Sequence, residues 1–150
     1  MTSLPDDDVL ARFADARVAV LGTIDHERGA DAAAHLVPVT FALEVTPGGP
    51  QVVTAVDGKP KRSTALRRLS NVAAHPAVSL LVQHWDEDWP ALWWVRADGH
   101  AYVDDGAAAV RRAAGLLRAK YPQYAGVAVT GPVVVVDVEA WHAWSGHGRA

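Results

Sequence analysis

The chain has 150 residues, a length that suits one domain with a sizeable core. Half of the residues are apolar and the formal net charge is −3, so the molecule as a whole is no electrostatic nucleic-acid binder and any anion site must be local. The absence of cysteine excludes disulfides, thiolate metal centres and cysteine nucleophiles.

The opening "MTSLPDDDVLARF" has no basic start followed by an apolar core, and no apolar run approaches a membrane span. The expectation is a soluble, cytoplasmic protein with no membrane or nucleic-acid partner. Proline and three acids precede Val9, Leu10, Phe13 and Ala14 at helical spacing, which predicts a helix over about 6–16. "RVAVLGTI" (17–24) is β-branched and predicts a strand. After the turn "DHERG", residues 30–45 predict a longer strand, with Pro38 marking an edge, bulge or bend. "TPGGP" turns the chain into a strand over 51–56.

Beyond "DGKPK", Leu66, Leu69, Val72 and Ala73 fall at helical spacing, with Ser63 as a candidate N-cap. A strand over 76–85 follows. Residues 91–104 read as a long strand, or as a hairpin bent at Asp98-Gly99. Asp104 or Asp105 can cap a helix over about 106–120, whose apolar face is Val110, Ala113, Ala114 and Leu117. Residues 133–144 make the last strand. The sum is mainly β (α+β): about six antiparallel strands and three peripheral helices, in one domain over 1–150. Strands that do not alternate with helices favour a small antiparallel barrel over a doubly wound sheet.

The segment Lys59-Pro60-Lys61-Arg62-Ser63 concentrates charge where a strand hands over to a helix. It holds two of only three lysines in the chain. Two readings stand. The charges can simply be hydrated, as in many short loops. Alternatively they form a phosphate clamp, in which Lys59 and Lys61 act as point charges, Arg62 gives a bidentate fork, and Ser63 adds a hydroxyl and helix-start N–H groups. A cation at a helix N-terminus opposes the dipole by roughly 0.3–1 kcal/mol at surface sites, a placement that favours an anion partner.

The six tryptophans fall in two groups: Trp85, Trp89, Trp93 and Trp94, then Trp141 and Trp144. Indoles wall planar rings, but they also anchor cores and interfaces. On one strand Trp93 and Trp94 must face opposite sides. The seven histidines show no metal-ligand spacing, so no metal is expected. His35 sits mid-strand, where a polar group could meet a ligand. The serines lack a nucleophile elbow, and no side chain stands out as an obligatory catalyst. If the chain is an enzyme, a cofactor carries its reaction.

"LGTIDHERGADAAAHLVPVTFAL" and "VDGKPKRSTALRRLSNVAAHPAVSLLV" together resemble the opening hairpin, phosphate loop, helix and next strand of the pyridoxamine 5′-phosphate oxidase-like split β-barrel flavoproteins. "EDWPALWWVRADGHAYV" and "WHAWSG" resemble its actinobacterial branch assigned to the deazaflavin coenzyme F-420. The resemblance implies a six-stranded antiparallel split barrel and an oxidoreductase that transfers hydride to a small-molecule substrate. It implies a homodimer with cofactor sites at the interface, and F-420 as cofactor with FMN as the alternative. A non-catalytic flavin carrier is a further reading. The cofactor-lining residues it implies are Lys59, Lys61, Arg62 and Ser63 on the phosphate, and Thr54, Ala55 and Val56 along the ring or ribityl chain. It adds the strand from His35 to Thr40, with Val37 and Pro38, and the weaker carry-overs Trp94, Arg96, Trp141 and Trp144. The basic loop lacks the Arg-Lys pair of the oxidases acting on vitamin B6, which favours the deazaflavin branch.

Overall fold

A computed structural model describes residues 4–56 and 62–147 and, within these, all side chains except those of 26–28 and 62–66. The chain order is α1 (Asp7–Asp15), β1 (Ala19–Ile24), β2 (Ala34–Val39), β3 (Ala42–Thr46), β4 (Gly49–Ala55), α2 (Arg62–Ala74), β5 (Ala77–His84), β6 (Trp93–Asp104), α3 (Ala107–Lys120) and β7 (Val133–Ser145). Helix α1 forms as its acids predict: Asp6 is the N-cap and its Oδ1 accepts from Val9 N–H at 2.9 Å.

The strands make one antiparallel sheet in the order β2-β1-β5-β6-β7-β4-β3. Its two end strands, β2 and β3, are consecutive in the chain. The sheet therefore begins and ends at one point, the short step Thr40-Phe41, which is the architecture of a split barrel. Seven strands replace the expected six because the predicted 30–45 strand breaks at that step. Residues 26–31 form a 3₁₀ turn instead of joining it. Pro38 lies on β2, an edge strand paired only with β1. A proline fits there because its missing N–H falls on the open side.

One core fills the barrel. Leu21, Val37, Val39, Val52, Leu80, Val82, Val95, Ala97, Val134 and Val136 point inward, joined by Phe13 of α1 and Val72 of α2. The Phe13 ring meets Phe41 at 5.1 Å and Trp141 edge-on at 5.2 Å. Such aromatic pairs add about 0.5–1.5 kcal/mol each beyond area burial. A second core lies outside the sheet, where Ala113, Ala114 and Leu117 of α3 cover Val53, Ala55, Val133 and Val135.

Residues 93–104 form one strand, not a hairpin. The bend expected at Asp98-Gly99 is a β-bulge, where Asp98 pairs with Ala140 and Gly99 with Val138, leaving Glu139 as the extra residue. A Cβ on Gly99 would stand 2.1 Å from the Asp137 carbonyl oxygen, so only glycine fits.

Two expected caps differ. Helix α2 begins at Arg62, so Ser63 lies inside its first turn rather than at the N-cap. Helix α3 is capped by Gly106, while Asp104 Oδ1 accepts the Gly106 N–H at 2.9 Å. Both offsets are of one or two residues, the usual scatter of a helix boundary. Among the described residues, no helix is long and apolar enough to cross a membrane.

Candidate functional site

The chemistry gathers at three places. The first is the split itself. Beyond Ala42↔Val53 the β3–β4 ladder stops, and Thr54 and Ala55 continue paired only to Val134 and Val133 of β7. Thr54 Oγ1 donates to the Thr40 carbonyl at 2.8 Å, and the Thr40 and Tyr124 hydroxyls share a 2.6 Å hydrogen bond. Tyr121 Oη takes the Phe41 N–H at 3.2 Å and donates to the Arg17 carbonyl at 2.9 Å. Lys120 Nζ donates to the Phe41 carbonyl at 3.0 Å. Lys120 and Tyr121 thus supply the main-chain partners that a neighbouring strand would otherwise give Phe41, while Thr54 of β4 serves the Thr40 carbonyl.

Of the expected cofactor residues, the structure brings Thr40 and Thr54 together here. Val56 ends this run, its N–H bonded to the Pro132 carbonyl at 3.2 Å. Ala55 is buried under α3, so its side chain is part of that packing. Lys59 and Lys61 lie outside the described residues, as do the side chains of Arg62 and Ser63.

The second place is the seat of α2. Arg67 Nη1 donates to Asp25 Oδ2 at 2.8 Å. The fully buried Asn71 amide meets Thr23 Oγ1 at 3.1 Å and, with its oxygen turned toward Thr23, reaches the main-chain oxygens of Ile24 and Arg67 at 3.3 Å. His35 stands opposite Thr23 in the β1–β2 ladder, on the inward face with Val37. Its Nδ1 and Asp25 Oδ1 are both buried without a hydrogen-bond partner among the described residues. Unpaired buried polar atoms are uncommon, and these two give a polar ligand edge something to meet.

The third place is the sheet face that α3 leaves bare. An open trough of about 790 Å³ crosses Gly22, Ser79, Asp98 and Ala140, with Leu36 along one lip and His100 and Glu139 along the other. Leu36 is 64% exposed. Arg96 grips Asp98 through two bonds of 2.9 and 3.1 Å, and Ser79 Oγ donates to the same carboxylate at 2.7 Å. Burial alone would raise the Asp98 carboxyl, but the bonds from Arg96 and Ser79 outweigh it and hold it below its ordinary value. His142 Nε2 approaches the same carboxylate at 3.3 Å, and His100 Nδ1 contacts Glu139.

Of the strand His35 to Thr40 expected to line the cofactor, Leu36 alone borders this trough. Only the cross-strand register gathers its small residues, although the outward positions of Gly22 and Ser79 follow from strand alternation. Pro38 lies on the same outward face as Leu36. Trp94 and Trp141 separate as alternation requires. Trp94 faces outward beside Trp144 and Arg12 in a neighbouring hollow, and Trp141 packs inward on Phe13. Trp93 faces the core side, under the Arg12 guanidinium at 5.4 Å. Among the described residues, no group of three or more His, Asp or Glu side chains is placed to hold a metal.

No family model and no curated protein matches the sequence. Solved structures do match in fold. A conserved hypothetical protein from Mycobacterium tuberculosis superposes with a TM-score of 0.72 at 18% identity, over 97% of this chain and 87% of its own. A putative pyridoxamine 5′-phosphate oxidase from Listeria innocua gives 0.59 at 16% identity, over 91% of this chain and 95% of its own. The FAD binding protein from Mycobacterium smegmatis gives 0.59 at 14% identity, over 96% and 97%. The fold is therefore that of the pyridoxamine 5′-phosphate oxidase-like and FAD-binding split barrels.

Proposed function

We propose that the chain is an oxidoreductase built on a single split-barrel domain, using a phosphorylated flavin-type cofactor, coenzyme F-420 ahead of FMN, to reduce a small organic substrate. The observation that carries this reading is the strand end Thr54–Val56. It outruns its β3 partner at the split and feeds directly into the Lys59–Ser63 segment. Neighbours of the same fold named for FAD binding and for pyridoxamine 5′-phosphate oxidation support a flavin-type ligand.

When bound, such a ring would supply the hydride chemistry, and the protein would supply position and shelter. Lys59, Lys61 and Arg62 would neutralise the phosphate, with Ser63 N–H at the helix start beside them. Thr54 is committed to Thr40, so the strand would offer main chain rather than side chain to the ligand. His35 Nδ1 would accept or donate one bond at a polar edge. The side chains of Val37, Ala55 and Trp141 are packed away and would shape the site from behind.

The bare outer face of β2, β1, β5 and β6, with Leu36 beside a trough, is the face we assign to a second copy in a homodimer. Its Arg96, Asp98 and His142 are already paired with one another, so covering them leaves no lone charge buried.

The test is a titration of purified protein with oxidised F-420, FMN and FAD, repeated with Lys59→Ala/Lys61→Ala. Micromolar F-420 binding that weakens at least about tenfold in the double variant supports the proposal. Tighter FMN binding replaces the deazaflavin with FMN, and binding without hydride transfer to any of a broad substrate panel marks a carrier. No binding of any of the three rejects the reading.

A further inference from the structure

Strand β4 pairs with β7 only over residues 133–137, although β7 runs on to Ser145. Past that point, among the described residues, β7 has β6 on one side and no strand on the other. An open hollow of about 640 Å³ lies where β4 gives out, bordered by Gly48, Gly49, Asp137 and Glu139. The Gly146 N–H donates to the Leu92 carbonyl at 2.8 Å, which fixes the alternation of the β6–β7 ladder. Ala140, His142 and Trp144 therefore bond to β6, and the main-chain N–H and C=O groups of Trp141, Ala143 and Ser145 turn to the open side. Ala143 and Trp144 are exposed. Residues 139–145 contain neither lysine nor proline, the residues that usually blunt an edge.

We propose that this half-edge of β7 pairs with the same half-edge of a second copy, in an antiparallel two-fold contact centred on Ala143. That register sets Trp141 opposite the partner's Ser145 and Ala143 opposite the partner's Ala143. Every open N–H and C=O on both copies is then bonded. A shift one way sets Ser145 against the bulge residue Glu139, and a shift the other way sets Trp141 against His147 in the closing turn; either leaves groups open. The side chains favour the same register. Each indole meets a smaller group, Trp141 the partner's Ser145 and Trp144 the partner's His142, while the small alanines meet at the axis. The hollow beside Glu139 leaves room for the partner's chain where it turns off its strand. The contact is self-complementary, so it closes both edges and opens no new one. It is separate from the outer face of β2, β1, β5 and β6, and it does not rest on the cofactor reading.

The test compares the mass in solution of the native chain and of Ala143→Pro by light scattering. The Ala143 N–H points away from β6, so proline removes an intermolecular donor and no bond of the β6–β7 ladder. The variant is expected to have half the mass of the native assembly. Equal masses overturn the proposal. Hydrogen exchange on the unaltered chain gives a second measurement that does not depend on a variant folding. The amides of Trp141, Ala143 and Ser145 should exchange at least about tenfold more slowly than free-chain amides, because a second copy pairs them. Exchange of these amides at free-chain rates also overturns the proposal.

Discussion

Tyr121 and Phe41 are 80 residues apart in the chain, yet the tyrosine hydroxyl receives the Phe41 N–H at the point where the sheet splits. The same hydroxyl donates to Arg17, so one phenol joins the start of β1, the β2–β3 step and the end of α3. Tyr121→Phe keeps the ring against Tyr124 but leaves a buried main-chain donor without its acceptor. The expected loss is about 1–3 kcal/mol, read from urea unfolding, with the amide of Phe41 gaining the fastest relative hydrogen exchange. An unchanged midpoint would show that the split closes without this bond.

Lys120 makes stability depend on pH in a defined direction. Its amine is near 8 in the fold and 10.5 when unfolded. Below pH 8 both states are charged and the burial penalty is fully present. Between 8 and 10.5 the unfolded chain binds more protons, so stability rises with pH. Tyr121 opposes this at higher pH, because burial raises its hydroxyl and the fold then resists its ionisation. The clean window is therefore pH 8 to 10. Denaturation midpoints should climb across it in the native sequence and stay flatter in Lys120→Met.

Gly99 and Gly115 should respond oppositely to alanine. At Gly99 the new Cβ meets the Asp137 carbonyl at 2.1 Å, and the backbone of the bulge must move. A loss of more than about 3 kcal/mol is expected, in the range of severe overpacking. At Gly115, exposed on α3, nothing lies within 4 Å, and alanine should stabilise by about 0.5–1 kcal/mol through helix propensity. Paired thermal melts of the two variants check both signs.

Asn71 holds α2 to β1. Asn71→Ala removes its bonds at Thr23 and Ile24 inside a fully buried site, with an expected cost of about 1–3 kcal/mol. Because α2 carries Arg62 and Ser63 at its start, the same variant should weaken F-420 binding more than the stability loss alone explains. A calorimetric titration well below the melting temperature separates the two. Unchanged affinity would mean that the helix start keeps its place without this anchor.

Much of the fold is legible in sequence because strand alternation and helix spacing are local signals. Val110, Ala113, Ala114 and Leu117 face the sheet as their spacing requires, and Trp93 and Trp94 part company as any strand pair must. Pro38 marks an edge for a stated chemical reason. The break at Thr40-Phe41 is not legible. No glycine or proline punctuates it, and its cause lies in Tyr121 and Tyr124, far along the chain. The bulge was visible only as a bend, since which residue is extruded depends on the register of β7 against β6. The trough needs five strands in register before its small residues meet. The polar seat of α2 pairs Thr23 with Asn71 across 48 positions, a relation with no local trace.

The arrangement of the sheet's ends also bears on solubility. An unpaired strand edge is where foreign chains add on and fibres grow. Here the two ends of the sheet are one continuous stretch of chain, and one of them carries a proline that cannot donate to an incoming strand. The other end is a five-residue strand closed by the Thr46–Gly49 turn. A would-be template for polymerisation is thus short on one side and chemically blunted on the other.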